Sequence, residues 1–253
     1  MGAPSARRAP DSAVQPATSV ARPRIVDPKA VPVAGTDGHL PAVPAHALTA
    51  PFLRSRFASA GAWPAEIVGD GVQQERAPSP ASVLVPLVQR DDGLHVLLTR
   101  RTDHLHDHAG QISFPGGRQE PEDADETATA LRETVEEIGL HPQYVEVLGR
   151  LPVYTTVTRF VVTPVVALVH PPFELRLDAF EVAEAFEVPL PFLMNPAHHH
   201  RHVFEVPGAS RQFLSMPWHA EQAGGGTREF FIWGATAAML RNLYAFLRQP
   251  HSP

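Results

Sequence analysis

Residues Phe114 to Leu140 read FPGGRQEPEDADETATALRETVEEIGL: a glycine turn, a short acidic loop, and then a helix carrying Arg132-Glu133-x-x-Glu136-Glu137. On a helix, positions three and four apart share a side. Glu133 therefore falls one turn from both Glu136 and Glu137, and three carboxylates are expected on one patch. Unpartnered, they repel by roughly a few tenths of a kcal/mol per pair. A hard divalent cation removes that conflict, because Mg²⁺ takes carboxylate oxygens and keeps positions open for phosphate. The opposite side reads Ala128, Leu131, Val135 and Ile138, an apolar stripe at helical spacing. The helix is expected to dock that stripe on a core and present a metal platform outward.

The flanks of this stretch fit the same reading. Gly116-Gly117 lets the backbone pass close to a ligand, and Phe114-Pro115 fixes the entry to the turn. Asp123 with Glu126 suggests a capping box that uses Asp at the cap, and Gly139 suits a left-handed terminator. Arg132, four residues before Glu136, is placed to orient the carboxylates.

Upstream, SVLVPLV (Ser82–Val88) predicts a strand, Gln89–Gly93 a hairpin turn, and Leu94–Arg100 its partner strand. Downstream, Val145–Tyr154 and Phe160–Val169 predict strands, the second buried on both faces but interrupted in expectation by Pro164. Phe180–Pro189 predicts a strand or a helical turn leading to a short helix at Leu190–Met194. Val203–Val206, Gln212–Met216 and Glu229–Trp233 predict three further strands. Ala235–Leu247 predicts a closing helix with Met239, Leu240, Leu243 and Leu247 inward. Strands on both sides of a central helix indicate a mixed α/β sandwich.

Prolines at 4, 10, 16, 23, 28, 32, 41 and 44 forbid a long helix in residues 1–46, which are expected to form a disordered or loosely packed arm. Residues 47–76 read as a helical lead-in. Its helix spans Pro51–Ser59, with Phe52, Leu53 and Phe57 buried, and residues 77–253 form the main domain. The chain of 253 residues has no cysteine, which excludes disulfides, thiolate metal sites and cysteine nucleophiles. The net charge is −6, yet the first 60 residues carry seven basic and three acidic side chains. The main body is therefore acidic, which argues against a nucleic-acid partner and suits a site that recruits cations to an anionic small molecule. No apolar run is long enough for a membrane span and no signal peptide is evident. The expectation is a cytoplasmic protein, open between monomer and homodimer. HHHRH at His198–His202 reads as a surface loop rather than a transition-metal site, because consecutive imidazoles point in different directions.

From Gly117 to Leu140 the chain resembles the signature of the Nudix hydrolases, G-x5-E-x7-R-E-U-x-E-E-x-G-U with U apolar. Gly117, Arg132, Glu133, Glu136, Glu137, Gly139 and Leu140 fall on its fixed positions. Asp123 stands for the early Glu, one residue farther from Arg132, and Thr134 replaces an apolar residue. LLTRRTDHLHDHAGQISFPGG (Leu97–Gly117) resembles the motif LLTxR(S/A)x3Rx3Gx3FPGG of the coenzyme A pyrophosphatase branch. There Thr102 replaces Ser or Ala and His106 replaces the second Arg. IWGATA (Ile232–Ala237) also resembles that branch.

The resemblance implies a Nudix-type α/β/α sandwich with a mixed sheet and a catalytic loop-helix-loop. It implies Mg²⁺ or Mn²⁺ held by Glu133, Glu136, Glu137 and the Gly116 carbonyl, with Arg132 orienting the acids. The base is either a helix glutamate or an acid from a later loop, Glu181 before Glu184. Arg101, Gly110, Phe114 and Gly117 are implied on the coenzyme A side. The implied reaction splits the diphosphate of coenzyme A into 4′-phosphopantetheine and adenosine 3′,5′-bisphosphate. The alternatives are another nucleoside diphosphate such as ADP-ribose, or a non-catalytic nucleotide-sensing domain; the intact acidic set speaks against the latter.

Overall fold

Both faces of the run Ser82–Val88 are buried: Leu84 and Val88 on one side, Val85 and Leu87 on the other. Such a strand has to lie inside a sheet covered on two sides. The computed structural model, which describes residues 25, 27–70, 79–103, 110–158, 160–206, 209–222 and 224–249, places it there. The strands are β1 (Val33–Thr36), β2 (Ser79–Arg90), β3 (Gly93–Arg101), β4 (Ile112–Ser113), β5 (Gly116–Arg118), β6 (Val145–Arg150), β7 (Tyr154–Thr155), β8 (Phe160–Val169), β9 (Val182–Pro189), β10 (His200–Val206), β11 (Ala209–Glu221) and β12 (Thr227–Trp233). The helices are α1 (Ala50–Ala58), α2 (Glu126–Ile138), α3 (Leu190–Leu193) and α4 (Gly234–Arg248).

Among the described residues the larger sheet runs β4-β3-β2-β8-β6, with β5 beside β2, β7 beside β8 and β9 beside β3. It is mixed: β2 lies parallel to β8 and antiparallel to β3. The hairpin partners β2 and β3 pair only near their turn, at Leu87–Arg90, and then splay. The fork is filled by β4, which pairs with Thr99 and Arg100, and by β5, which pairs with Ala81–Val83. Phe114-Pro115 is wedged between them, with the Leu84 amide donating to the Pro115 carbonyl at 2.9 Å. This fork holds the glycine turn against the sheet.

Residue alternation sorts the layers. Leu84, Val165 and Ala167 meet Ala130 of α2, while Val88, Leu97 and Val169 meet Ile138 and Leu140. Val85, Leu87, Val96, Leu98, Val166 and Leu168 face the other way. They join one large core with residues of α1, α3, α4 and a second sheet. That sheet is antiparallel throughout, in the order β1-β10-β11-β12. The expected mixed sheet with helices on both faces is present. Among the described residues no helix is long and apolar enough to cross a membrane.

Several local expectations change. Residues 28–46, assigned above to a loose arm, are ordered: β1 pairs with β10, and Asp37 is buried in ion pairs with Arg201 and Arg241. Proline excludes a helix there but not an extended segment. The α2 cap is Asp125, whose carboxylate accepts from the Ala128 amide, so the Asp123–Glu126 capping box does not form. Gly139 does end α2 in the left-handed region, φ 68°.

The buried face of α2 is Thr129, Ala130, Thr134, Glu137 and Ile138, rotated from the expected stripe, of which Ile138 is buried and Leu131 packs half-buried against the sheet. Thr134 suits this because its hydroxyl donates to the Ala130 carbonyl at 2.6 Å. Pro164 is tolerated inside β8 because the ladder on that side is already broken there. β6 ends opposite Val165 and β7 begins opposite Val162.

HHHRH is not a surface loop. His199 and His202 are buried, and the run leads into β10. The closing helix is covered almost all round, with Arg241, Asn242, Tyr244 and Phe246 buried besides the four expected residues. His106 and residues 1–24 lie outside the described residues.

Candidate active site

The acids of α2 grade from inside to outside. Glu137 has 5% of its side chain exposed, Glu133 17% and Glu136 57%. Glu137 points inward because α2 docks on its own acidic edge, and its carboxylate accepts from the Gly116 amide of β5 at 3.2 Å. Glu133 lies against Gly117: a Cβ there would stand 2.5 to 2.6 Å from the Glu133 carboxyl atoms. At Gly116 (φ 152°) a Cβ would meet the Ser82 carbonyl and Val83 of β2. The two glycines therefore do different things. Gly116 lets β5 close on β2, and Gly117 leaves a cradle for a carboxylate.

Arg132 is the clasp of this platform. Its guanidinium donates to Asp123 at 3.0 Å on both carboxylate oxygens, to Glu136 at 2.9 Å and to the Arg118 carbonyl at 3.1 Å. It also pairs with Glu133 at 3.0 Å. Asp123 further accepts from the Glu120 amide and the Thr129 hydroxyl. The bonds from Arg132 and these donors hold its carboxyl well below the usual carboxylate range. The displaced acid of the signature thus anchors the arginine rather than the helix start.

Arg101, at the end of β3, reaches Glu137 at 3.5 Å and Glu181 at 3.6 Å. Glu181 sits just before β9 and is held by its backbone, its carbonyl accepting from the Thr102 amide. The Thr102 hydroxyl donates to the adjacent Phe180 carbonyl at 2.8 Å, so Thr102 anchors this loop. Glu184 is not brought to the site; it is clamped by Arg100 and Arg228, whose bonds hold its carboxyl low despite burial. Gly110 adopts φ 67°. Phe114 is buried in the large core and also lines a cavity of 570 Å³ above β5.

Among the described residues, no three His, Cys, Asp or Glu side chains stand close enough together to hold a metal ion. The acids are drawn instead to Arg132, Arg101 and Gly116. The donor set nevertheless fits a divalent cation. Burial pushes Glu137 up to about 8, with the Glu181 and Glu133 charges adding to it and the Gly116 amide and Arg101 opposing it. Burial raises Glu133 as well. A set of carboxylates that runs from buried Glu137 to exposed Glu136, all oxygen donors beside a glycine cradle, is chemically matched to Mg²⁺ or Mn²⁺. Ser82, opposite Gly117 in the β2–β5 ladder, is fully buried with no partner for its hydroxyl among the described residues.

The sequence reading passed over Thr102 as an anchor, Arg118, and the cavity wall built by β10–β12. Only Trp233, inside IWGATA, carried a signal there.

The profile of the NUDIX domain matches residues 78–204, which contain the forked sheet and the acidic helix. The chain is 42% identical over 165 residues, 64% of this chain and 80% of the relative, to a protein of Salmonella paratyphi B named "Uncharacterized Nudix hydrolase NudL". A solved structure of a C. elegans Ap4A hydrolase binary complex aligns over 46% of this chain and 85% of that chain, at 20% identity and TM-score 0.40. The NUDIX domain of Shewanella oneidensis NrtR, solved with ADP ribose, aligns over 46% and 75% at 23% identity and TM-score 0.36. On the profile match and the shared sequence, this chain belongs to the Nudix hydrolase family.

Proposed function

We propose that the chain is a Mg²⁺- or Mn²⁺-dependent cytoplasmic diphosphatase of coenzyme A and its derivatives, releasing 4′-phosphopantetheine (or its acyl form) and adenosine 3′,5′-bisphosphate. One observation carries this reading: Arg101 of the upstream motif lies 3.5 Å from Glu137 of the acidic helix. The two sequence motifs thereby converge on one corner beneath the cavity.

In the reaction, water adds to phosphorus, one bridging phosphorus–oxygen bond breaks, and the water proton leaves to a base. Glu133, Glu136, Glu137 and the Gly116 carbonyl would hold a divalent cation, which would supply neutralisation of the diphosphate and a more acidic water, and Arg132 keeps Glu133 and Glu136 oriented. Arg101 offers its guanidinium fork to a phosphate oxygen. Glu181, the more exposed carboxylate beside Arg101, accepts the proton. Gly110, Phe114 and Gly117 shape the coenzyme A side.

The test compares turnover of coenzyme A and ADP-ribose with Mg²⁺ or Mn²⁺, with product analysis. Coenzyme A is the expected preference, and a preference for ADP-ribose overturns the substrate. Glu136→Gln and Glu137→Gln are expected to lower kcat by about 100-fold or more with the fold retained, and chelation of the metal to abolish turnover. Unaltered activity in both variants removes the assigned platform.

A further inference from the structure

The cavity above β5 has a wall that the Nudix profile does not contain. The profile ends at residue 204, and β11 and β12 lie beyond it. Alternation on these strands sorts their faces: Leu214, Met216, Phe230 and Ile232 enter the large core, whereas Arg211, Phe213 and Trp233 turn to the cavity. Phe204 pairs with Arg211 across β10 and β11 and joins the same face. Phe204 and Phe213 stand 6.1 Å apart, and Phe213 meets Trp233 edge-on at 5.5 Å. Phe160 of β8 closes the opposite side, with Arg118 of β5 over its ring at 5.6 Å.

The charges of this cavity are uneven. Of its arginines, Arg101 is tied to Glu137 and Glu181, but Arg118 and Arg211 form no ion pair with any described residue. Arg211 donates to the Asp70 carbonyl at 2.9 Å and lies over Phe204 at 5.9 Å. A guanidinium has five donors, and most of this fork has no hydrogen-bond partner among the described residues. The nearby Asp70 carboxylate is taken by the Tyr154 hydroxyl and the Val157 amide, both at 2.6 Å. Two arginines without an ion pair among the described residues, set in an aromatic recess, suit a ligand that is both flat and anionic.

We propose that Arg118 and Arg211, with Phe160, Phe204, Phe213 and Trp233, form a subsite for the nucleoside half of the substrate and select a phosphate on its sugar. This rests on the diphosphate reading above, which puts the bridging phosphates at the Arg101, Gly116 and Gly117 end of the same cavity. A pantetheine arm offers neither a planar ring nor an anion, and ADP-ribose lacks the extra phosphate. The β11–β12 wall thus acts as a specificity element added to the family core.

The test is calorimetric titration of the full chain, without metal and without turnover, using adenosine 3′,5′-bisphosphate and adenosine 5′-monophosphate. The wild type is expected to prefer the bisphosphate by about tenfold, the scale of one charge-assisted contact. That preference should collapse in R211Q and shrink in R118Q, with R211K intermediate because it keeps the charge and loses the fork. Melting curves accompany each variant; Arg118 is exposed, so R118Q serves where R211Q does not fold. Equal affinity of the wild type for both nucleotides overturns the subsite, as does a preference unchanged in R211Q and R118Q. Arg211-dependent binding of 4′-phosphopantetheine overturns it too. Coenzyme A turnover separates the two readings. Variant-sensitive bisphosphate binding without coenzyme A hydrolysis sinks the function and keeps the subsite, and the reverse result does the opposite.

Discussion

Adjacent glycines in the Phe114–Gly117 turn answer to different neighbours, and their variants should separate stability from catalysis. In Gly117→Ala the atoms nearest the new methyl are those of the Glu133 carboxylate, the far end of a flexible side chain, which can move. Stability should change by less than about 1 kcal/mol, while kcat/KM falls by about 100-fold as the carboxylate proposed to hold the cation leaves its place. In Gly116→Ala the methyl meets the β2 backbone, at a φ that L residues rarely adopt. There the melting temperature should drop first, by several degrees. Melting curves and steady-state kinetics on both variants check this; equal stability loss in the two would refute the assignment. The sequence made the pair conspicuous, but periodicity carries no information on what lies across a strand ladder. The inward rotation of Glu137 was hidden for the same reason. A glutamate among acids looks solvated until the sheet beneath it, and the Gly116 amide, give it a reason to face inward.

At the scale of elements, α2 has two aspartates near its start with separate duties. Asp125 caps the helix and also pairs with Arg150 at 2.8 Å; Asp123 holds Arg132. Asp125→Ala is expected to lower unfolding free energy by about 1 kcal/mol with a small change in kcat. Asp123→Asn should do the reverse, loosening Arg132 and lowering kcat by about tenfold or more. Urea unfolding and kinetics decide, and a cap phenotype in the Asp123 variant would show the roles to be exchanged. Helix position, Gly139 as terminator, the β2–β3 hairpin and the β8 strand were all legible, because each depends on neighbours close in sequence. Which aspartate caps was not legible, since DADE offers two candidates and Arg132, nine residues away, selects between them.

Across the whole molecule, one buried polar network ties the early segment to the end of the chain. Asp37 pairs with Arg201 and Arg241, and Arg241 also pairs with Glu66. Arg241 donates to His199 Nδ1 at 3.1 Å, while His199 Nε2 donates to the Leu193 carbonyl at 2.7 Å. Burial, with Arg241 adding to it, depresses His199 to about 4. The imidazole is therefore neutral in the folded state where the unfolded chain is already taking a proton. Its contribution is complete above the unfolded value near 6.5 and is lost as pH falls from there toward 4. The loss is on the order of 3 kcal/mol. In chemical unfolding at pH 7.5 and pH 5, the advantage of wild type over His199→Gln should shrink at the lower pH; an advantage that stays constant refutes a neutral buried His199. This network also explains why the proline-rich segment from residue 28 is ordered. Proline spacing rules out helix, but only partners far along the chain can supply β10 as a ladder and two arginines for Asp37. By itself, the sequence determined the mixed α/β class, the acidic helix with its set of oxygen donors, and the upstream motif, because these are written in local spacing and residue type. Tertiary structure alone decided which carboxylate is buried and which aspartate anchors Arg132. It also decided that β10–β12 wall the cavity, because burial and charge compensation are set by residues that meet only when the chain folds.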